Sequence, residues 1–192
     1  MTWLVVGLGN PGLGYAKTRH NVGFMTADVL AGRFGVRWKR ARGASAEIAE
    51  VPGGKLGVDG QVVLVEPMTF MNNSGDAVAP LARFYKVAPE QIVVVHDEID
   101  LDFGGLRVKL GGGDNGHNGL KSVRARLGTG EFYRVRIGVS RPPGTRDPMD
   151  WVLGAFPKDQ REDLKININE AADAVQSLLR DGLIETQNRF NR

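Results

Sequence analysis

Residues 92–95, with the sequence IVVV, constrain the fold more than any other segment of the chain. A continuous β-branched run of this kind indicates a strand that is buried on both faces, as in a parallel sheet covered by helices. Apolar runs at residues 2–8 and 62–65 predict two more strands, and the second run stops at Pro67. Because parallel strands need long crossover connections, we expect helices between them.

Apolar residues at helical spacing support this arrangement. They predict helices at about 22–32, 73–86 and 118–126. The clearest helical pattern follows Pro157, which suits the first turn of a helix, and it stops at Gly182. A shorter helix is predicted after that glycine.

The short alternating runs at about residues 45–51 and 55–58 leave too little chain for helical crossovers, so part of the sheet is predicted to be antiparallel. Strands that alternate with helices are typical of α/β proteins. The sequence therefore predicts a three-layer α/β/α fold around a mixed, mainly parallel, twisted sheet with a long C-terminal helix. It contains no repeat or linker, so residues 1–192 are predicted to form a single domain.

Composition excludes several classes of protein. The chain has no cysteine, which rules out disulfides and thiolate metal sites. The N-terminus has no basic segment, and no apolar stretch approaches the roughly 20 residues that a membrane helix needs. These features predict a soluble, cytoplasmic protein with no membrane partner.

The formal net charge of +3 is compatible with a polyanionic partner but does not require one. Basic residues concentrate around Trp38, on the predicted helix at 118–126, and within residues 134–146. Each cluster by itself is typical of a solvated surface. Together they leave two alternatives open, binding of RNA or phosphate and simple solvation.

Polar side chains gather directly after the predicted strands. In open α/β sheets the carboxyl ends of parallel strands form the ligand-binding crevice, so clusters that follow three such strands are expected to meet there. The clusters are Asn10, Tyr15 and His20 after the first strand, Thr69, Asn72, Asn73 and Ser74 after the second, His96, Asp97 and Glu98 after the third, and Asp114, Asn115, His117 and Asn118 in a glycine-rich segment.

His20 and Asp97 could together activate a water molecule. A carboxylate that holds one imidazole nitrogen leaves the other free to take a proton, and it raises the basicity of the ring. The alternative for His20 is capping of the helix that follows, which Asn21 could also do. His96 ends a buried strand and is predicted to be structural. Because the chain has neither cysteine nor a Gly-x-Ser-x-Gly motif, a hydrolase built on these residues would use water as the nucleophile.

Metal and dinucleotide chemistry have weaker support. The acidic residues around His96 lack the spacing of a metal-binding motif, so no metal is predicted. Residues 7–12, GLGNPG, match the Gly-x-Gly-x-x-Gly fingerprint of dinucleotide sites. However, Pro11 removes a backbone donor, and Asp28, the nearest acid at a suitable distance, falls inside a helix. A tight turn that exposes Asn10 is the better interpretation, and no cofactor is predicted.

Three asparagines would suit recognition of a polymer regardless of its side chains. An amide donates and accepts hydrogen bonds without charge, so Asn10, Asn72 and Asn118 around a cleft could bind peptide groups. Individually, each is more typical of a turn or a helix cap. Apolar and aromatic surface beside them would come from Tyr15, Phe70 and Met71.

Five ordered motifs between about residues 4 and 188 resemble the bacterial peptidyl-tRNA hydrolase family. They are GLGNPG at 7–12 with Tyr15, TRHN at 18–21, PMTFMNNSG at 67–75, HDE at 96–98, and GGG at 111–113 with GHNG at 116–119. The resemblance implies a monomeric α/β enzyme without cofactor. Such an enzyme cleaves the ester between a peptide and the 3′-terminal ribose of tRNA.

The resemblance also implies roles for individual residues. His20 would activate water and Asp97 would hold it in its basic form. Asn10 would sense whether the amine of the substrate is blocked. Positions that contact tRNA or peptide, or that line the site, are matched by Tyr15, Phe70, Met71, Asn72, His117 and Asn118. Basic positions near the 5′-phosphate, at the acceptor end of the tRNA, are matched by Lys109, Lys121 and Arg136.

One position departs from the pattern of the family, because Asn115 stands where members commonly have glycine. Asparagine tolerates a left-handed backbone, so we expect activity to be retained, although the side chain could alter the mobility of the loop. The leading alternative function is a non-catalytic RNA-binding relative of the same fold, which the presence of both His20 and Asp97 disfavours. A dinucleotide-dependent enzyme is a weaker alternative.

Overall fold

The computed structural model describes residues 1–192, whose strands form one mixed sheet in the order β2-β3-β4-β1-β5-β7-β6. The central strands β4, β1, β5 and β7 are parallel, while β3 joins β4 and β6 joins β7 antiparallel, and β2 pairs antiparallel with β3. The mixed sheet and its antiparallel part were both predicted from the spacing of the apolar runs, and both are confirmed. The strands are β1 (Thr2–Gly7), β2 (Lys39–Arg40), β3 (Ala46–Pro52), β4 (Gln61–Pro67), β5 (Ile92–Glu98), β6 (Leu106–Leu110) and β7 (Tyr133–Gly138).

Helices cover both faces of the sheet, which completes the predicted three layers. Buried residues of α1 and α5 form one core with the sheet, and those of α2 and α3 form the other. None of the helices is long and apolar enough to cross a membrane. The helices are α1 (Val22–Phe34), α2 (Gly75–Phe84), α3 (Asn118–Leu127), α4 (Pro148–Val152), α5 (Arg161–Asp181) and α6 (Leu183–Phe190).

The long C-terminal helix starts later than its pattern predicts. Pro157 lies outside it, before a short 3₁₀ turn at Lys158–Gln160, and α5 begins only at Arg161. Gly182 ends α5 as predicted, and α6 follows at once.

Strand β5 extends beyond the apolar run that predicted it. All seven of its residues are buried, and its pairing with the parallel neighbour β7 continues from Val93 through Glu98. Hydrogen bonding to β7 therefore keeps His96, Asp97 and Glu98 in the sheet, although their side chains are polar. Because successive strand residues point to opposite faces, Asp97 faces away from His96 and Glu98.

Helix α1 lies against the end of β1 at a distance that only glycine permits. A Cβ atom on Gly7 would lie 2.2 Å from the carbonyl oxygen of Gly23, and one on Gly23 would lie 2.4 Å from the carbonyl oxygen of Val95. Gly9 approaches the ring of Phe24 in the same way. Gly7 and Gly9 of the GLGNPG segment thus serve helix–sheet packing, which brings the start of α1 close to the end of β5.

The glycine-rich segment at 111–117 follows β6, which runs antiparallel to β7. It therefore leaves the sheet at the end opposite to the carboxyl ends of the parallel strands. Leu110, the last residue of β6, lies opposite Tyr133, the first residue of β7. The segment has to run back along the sheet before α3 begins at Asn118. Its path is held by Arg134, which is 1% exposed and donates hydrogen bonds to the carbonyls of Gly112, Gly113 and Gly130.

We expect Gly23→Ala to lower the free energy of unfolding by more than about 2 kcal/mol, because the new methyl group would meet backbone atoms of Leu8 and Val95. Urea denaturation followed by circular dichroism measures this change. Gly32→Ala in the same helix is the matched control, since a Cβ atom there meets nothing within 4 Å. The control should be stabilised by about 0.5–1 kcal/mol, and equal stability of both variants would contradict the packing argument.

Candidate active site

The carboxylate of Asp97 lies between two histidines at the end of β5. Its Oδ2 accepts a hydrogen bond from Nδ1 of His20 at 2.8 Å, and its Oδ1 accepts one from Nε2 of His117 at 2.7 Å. Residues 20, 97 and 117 are far apart in sequence and come from three different parts of the fold, the turn before α1, the end of β5 and the residue before α3. Side chains of Asp97 and His20 are almost fully buried, so water does not compete for these hydrogen bonds.

These contacts determine which ring nitrogens carry protons. Nδ1 of His117 accepts hydrogen bonds from the backbone N–H groups of Gly119 and Leu120, so it is unprotonated and Nε2 is the donor to Asp97. His117 is therefore the cap of α3, a function that the sequence did not indicate. In His20 the proton lies on Nδ1, toward Asp97, and Nε2 makes no hydrogen bond within the protein. Among His20, Asp97 and His117, Nε2 of His20 is the one basic nitrogen without a partner, and Nε2 of His96, also without a partner, is fully buried.

The electrostatics of the cluster favour a basic His20. Burial lowers the pKa of His20, but the charge and the hydrogen bond of Asp97 outweigh burial, so the pKa is raised above its ordinary value. Burial raises the pKa of Asp97, yet His20 and His117 hold it well below its usual range. Burial, followed by the nearby His117, lowers the pKa of His96 to about 3. His96 is thus a neutral, buried side chain, as a structural role requires.

The segment that carries His20 is fixed by contacts from a distant part of the chain. Arg19 stacks on Trp151, with its guanidinium carbon 3.5 Å from the ring centroid, and it donates a hydrogen bond to the Trp151 carbonyl at 3.1 Å. The backbone of Thr18 pairs with Ala155, and the N–H of Arg19 bonds to the carbonyl of Gly154. This anchoring of His20 was not predicted from the sequence.

A cavity of about 70 Å³ opens beside His20 and Asp97. A water molecule needs roughly 10–15 Å³ of such volume, so the cavity has room for water and for a small reacting group. Helix α4, whose residues Pro148, Met149 and Val152 line one wall, was not expected to be part of the site. The remaining lining residues are Glu98, Ile99, Asn115, Gly116, His117 and Asn118.

Asn10 is held by Asn21 and Met71 so that only one side of its amide is free. The backbone N–H and C=O of Asn10 both pair with the Asn21 side chain at 2.9 Å, and its Oδ1 accepts from the N–H of Met71 at 2.7 Å. Because Oδ1 is occupied, the Nδ2 donors of Asn10 remain available. Capping of α1 by Asn21 was suggested by the sequence but is wrong, since its side chain bonds to Asn10 instead.

Comparison with known proteins assigns this arrangement to a family. The sequence matches the peptidyl-tRNA hydrolase family over residues 4–192. Its relatives include the peptidyl-tRNA hydrolases of Mycolicibacterium smegmatis, 55% identical over 96% of this chain and 95% of the relative, and of Cutibacterium acnes, 52% identical over 99% and 98%. The chain belongs to the peptidyl-tRNA hydrolase family. Its crystallised relatives include peptidyl-tRNA hydrolase from Acinetobacter baumannii, with a TM-score of 0.88 and 36% identity over 99% of this chain and 94% of that one.

Membership of the peptidyl-tRNA hydrolase family confirms the resemblance that the motifs predicted, together with the enzyme class. Of the remaining predicted residues, Asn118 lines the cavity, whereas Tyr15, Phe70 and Asn72 do not. Tyr15 and Phe70 meet edge to face with ring centroids 6.1 Å apart, and Phe70 is 52% exposed. Phe70 has a φ of 61°, a strained backbone for an aromatic residue, and such strain concentrates at functional sites. Asn118 lines the cavity beside His20 and also a neighbouring groove that contains Asn72 and Lys121.

The three basic residues matched by the resemblance do not form one cluster. Lys109 and Arg136 lie on the paired strands β6 and β7, where Arg136 is opposite Arg107, two residues before Lys109. Burial, followed by the charge of Arg136, lowers the pKa of Lys109. Arg136 is also paired with Glu98 at 3.1 Å. Lys121 is separate from them and lies on α3 beside Asn72 and Asn118.

Asn115 has the left-handed backbone expected at a glycine position, with a φ of 51°. In addition, its side chain makes two hydrogen bonds. Nδ2 donates to Oε2 of Glu98 at 2.8 Å and also to the carboxylate of Asp100. The residue that departs from the family pattern therefore ties the glycine-rich segment to the end of β5.

His20, Asp97 and His117 also have the composition of a metal site, since one potential ligand atom from each lies within 4.8 Å of the others. Apart from Nε2 of His20, however, their donor atoms are already engaged. The carboxylate accepts from both rings, and the second nitrogen of His117 accepts from two backbone amides. A metal ion would have to displace both histidine–carboxylate bonds. The arrangement suits proton transfer better than metal binding.

We expect Asn115→Asp to release the glycine-rich segment, because it replaces a donor by a carboxylate that faces Glu98 and Asp100 while keeping a side chain that tolerates positive φ. Backbone amides at 111–117 should exchange with deuterium about 5–20-fold faster. Asn188→Asp, at an exposed position without such contacts, controls for the added charge. Unchanged exchange in Asn115→Asp would show that its side chain does not restrain the segment.

Proposed function

We propose that this chain hydrolyses the ester bond between a peptide and tRNA, with His20 as the general base. The observation that carries the proposal is the contact of 2.8 Å between His20 Nδ1 and Asp97 Oδ2, which leaves Nε2 free beside a cavity. A base of this kind needs one occupied nitrogen, one free nitrogen and a nearby place for water. The family to which the chain belongs supplies the substrate class, peptidyl-tRNA.

In the proposed reaction, His20 Nε2 takes a proton from a water molecule as the water oxygen attacks the ester carbonyl carbon. The carbonyl electrons move to oxygen to form a tetrahedral intermediate. Its collapse breaks the bond to the 3′ oxygen of the tRNA ribose, and that oxygen receives the proton from His20. The products are a peptide with a free carboxyl group and a tRNA with a free hydroxyl group.

Asp97 has two functions in this scheme. It orients the imidazole through the Nδ1 hydrogen bond, and its charge stabilises the imidazolium that forms during attack. His117 supports both functions, since its Nε2–H holds the second carboxylate oxygen while its Nδ1 is fixed by the start of α3. We propose His117 as a positioning residue as well as a lining one.

Asn10 is proposed to recognise the acyl group of the substrate. With Oδ1 bound to Met71, Asn10 has both Nδ2–H donors available, and these pair with carbonyl oxygens and not with an ammonium group. A blocked amine carries a carbonyl next to it, whereas a free amine carries a positive charge. Further contacts to peptide or tRNA are proposed for Tyr15, Phe70, Met71, Asn72 and Asn118.

The acceptor end of the tRNA, with its 3′-terminal ribose and 5′-phosphate, is proposed to lie across the sheet edge and α3. Lys109 and Arg136 would meet the 5′-phosphate as a pair of neighbouring cations. Lys121 would contact the strand near Asn72 and Asn118. We further propose that the chain acts as a monomeric single domain in the cytoplasm, where translation supplies its substrate.

The proposed activity is tested with tRNA that carries N-acetylated or free amino acid. The N-acetyl form should be hydrolysed at least about 100-fold faster, because only it offers Asn10 a carbonyl without an adjacent charge. Release is measured as acid-soluble radioactive amino acid. His20→Ala should abolish release while tRNA binding persists in a gel-shift assay. Binding without release by the unaltered protein would instead favour the RNA-binding alternative.

The dependence on pH tests the pairing of His20 with Asp97. The free base is needed, so kcat/KM should fall as pH drops through the raised pKa of His20. Asp97→Asn removes the charge that raises this pKa and leaves burial, which lowers it. The acidic limb should therefore move to lower pH, while the plateau falls by about 10³–10⁴-fold. If the acidic limb of the kcat/KM profile stayed at the same pH in Asp97→Asn, His20 would not be the base that titrates.

A further inference from the structure

A second cavity, of about 210 Å³, is lined by Asn10 and contains carboxyl groups without a basic partner. Glu66, the residue before the end of β4, lines it and is only 7% exposed. Its Oε2 atom is buried and makes no hydrogen bond. An unsatisfied buried oxygen is costly, so its presence in a cavity points to a missing donor.

The charges around Glu66 are all of the same sign. Asp28, on α1, lines the same cavity and is close enough to Glu66 for the two carboxyl groups to share a proton, and Glu47 lies opposite Glu66 across the β3–β4 pair. None of these three carboxyl groups forms a salt bridge, and no lysine or arginine influences Glu66. Burial, followed by the hydrogen bond and charge of Asp28, raises the pKa of Glu66 to about 10. Without an occupant, Glu66 therefore holds a proton at neutral pH.

The shape of the cavity suits a side chain better than a bare ion. Its volume exceeds by more than tenfold the roughly 10–15 Å³ that one water molecule needs. Phe24, Met25 and Met68 form an apolar part of the wall, while Glu66 and Asp28 provide the acidic groups. Lysine and arginine side chains are complementary to such a cavity, because each has an apolar stem and a positively charged end.

The cavity is also next to the reacting centre. Asn10 and Asn21 line it, and Asn21 follows His20 directly in the chain. If Asn10 binds the acyl group, as the proposed function requires, then peptide side chains near the ester pass the mouth of this cavity. We propose that the cavity is a subsite for a positively charged side chain of the peptide, a lysine ammonium or an arginine guanidinium. The proposal rests on the function proposed above.

Binding of the cation would displace the proton of Glu66 into solvent. The ammonium or guanidinium group then donates hydrogen bonds to the freed carboxylate, with Asp28 and Glu47 as the remaining charges that face it. Peptidyl-tRNAs with a basic residue near the ester would thus be preferred substrates, and Glu66 would determine this specificity.

The experiment compares two substrates that differ only in charge, tRNA carrying Nα-acetyl-lysine and the same tRNA carrying Nα,Nε-diacetyl-lysine. A second pair places the lysine one residue before an esterified alanine. In at least one pair, kcat/KM for the charged form should be roughly tenfold higher, mainly through KM. Hydrolysis of neither form would contradict the proposed function itself, whereas equal hydrolysis of both forms in both pairs would overturn only the subsite.

Two variants test whether the preference for the charged substrate depends on Glu66. Glu66→Gln should reduce the ratio of kcat/KM between the charged and acetylated forms to about one, because an amide cannot pair with the cation. Glu50→Gln is the matched control, since Glu50 is a carboxylate of β3 that pairs with Lys39 outside the cavity. The ratio should persist in this control. A preference that survives Glu66→Gln would place the cation elsewhere and overturn the assignment.

Two further measurements separate this proposal from its alternatives. The ratio should increase between about pH 6.5 and 8.5, since binding releases a proton, and His20 affects both substrates equally. A ratio that is constant over this range would exclude Glu66 as the group that binds the cation. Thermal stabilisation by Mg²⁺ or Ca²⁺ alone, lost in Glu66→Gln and accompanied by no substrate preference, would assign the cavity to a free ion and overturn the subsite.

Discussion

The paired hydrogen bonds of the Asp97 carboxylate are the interaction on which the rest of the site depends. One oxygen holds His20 and the other holds His117, and both contacts lie in the interior, where an unpaired charge would be costly. Asp97 thereby connects the turn after β1 with the start of α3. The same bonds decide which nitrogen of each ring is protonated, so the placement of one carboxylate determines both the architecture and the chemistry of the site.

The fold brings these groups together through close packing on one side and a buried cation on the other. Gly7 and Gly23 allow α1 to approach the sheet closely enough for His20 to reach β5. On the other side, Arg134 donates hydrogen bonds to carbonyls of the glycine-rich segment. This segment brings His117 to Asp97, although β6, the strand before it, ends at the opposite end of the sheet. Arg19 acts similarly on the His20 segment through Trp151. Buried guanidinium groups hold irregular backbone well, because one side chain can donate several hydrogen bonds at once.

Some of these features have recognisable local patterns and others do not. Apolar periodicity predicted the parallel centre, the antiparallel edge and the long C-terminal helix, because burial of apolar surface dominates folding. The histidine–carboxylate pair and the asparagines were identified by residue type and motif. Arg19, Arg134 and helix α4 were missed, since their importance comes from contacts across more than 20 residues of sequence that leave no local signal. The interpretation of Asn21 as a cap was wrong because Asn10 offered its amide a better pair of partners.

The amino-acid sequence by itself determined the class of fold, the family and the residues able to carry acid–base chemistry, because each of these depends on residue type and spacing along the chain. Only the tertiary structure decided the state of those residues. Whether His20 meets Asp97, which nitrogen remains free, and which side of the Asn10 amide faces the site depend on distances of about 2.7–2.9 Å between distant segments. The acidic cavity at Glu66 likewise depends partly on the sequence and partly on the tertiary structure. Its carboxyl groups stand in the sequence, but their proximity and the absence of a counter-charge arise only when α1 packs against β4.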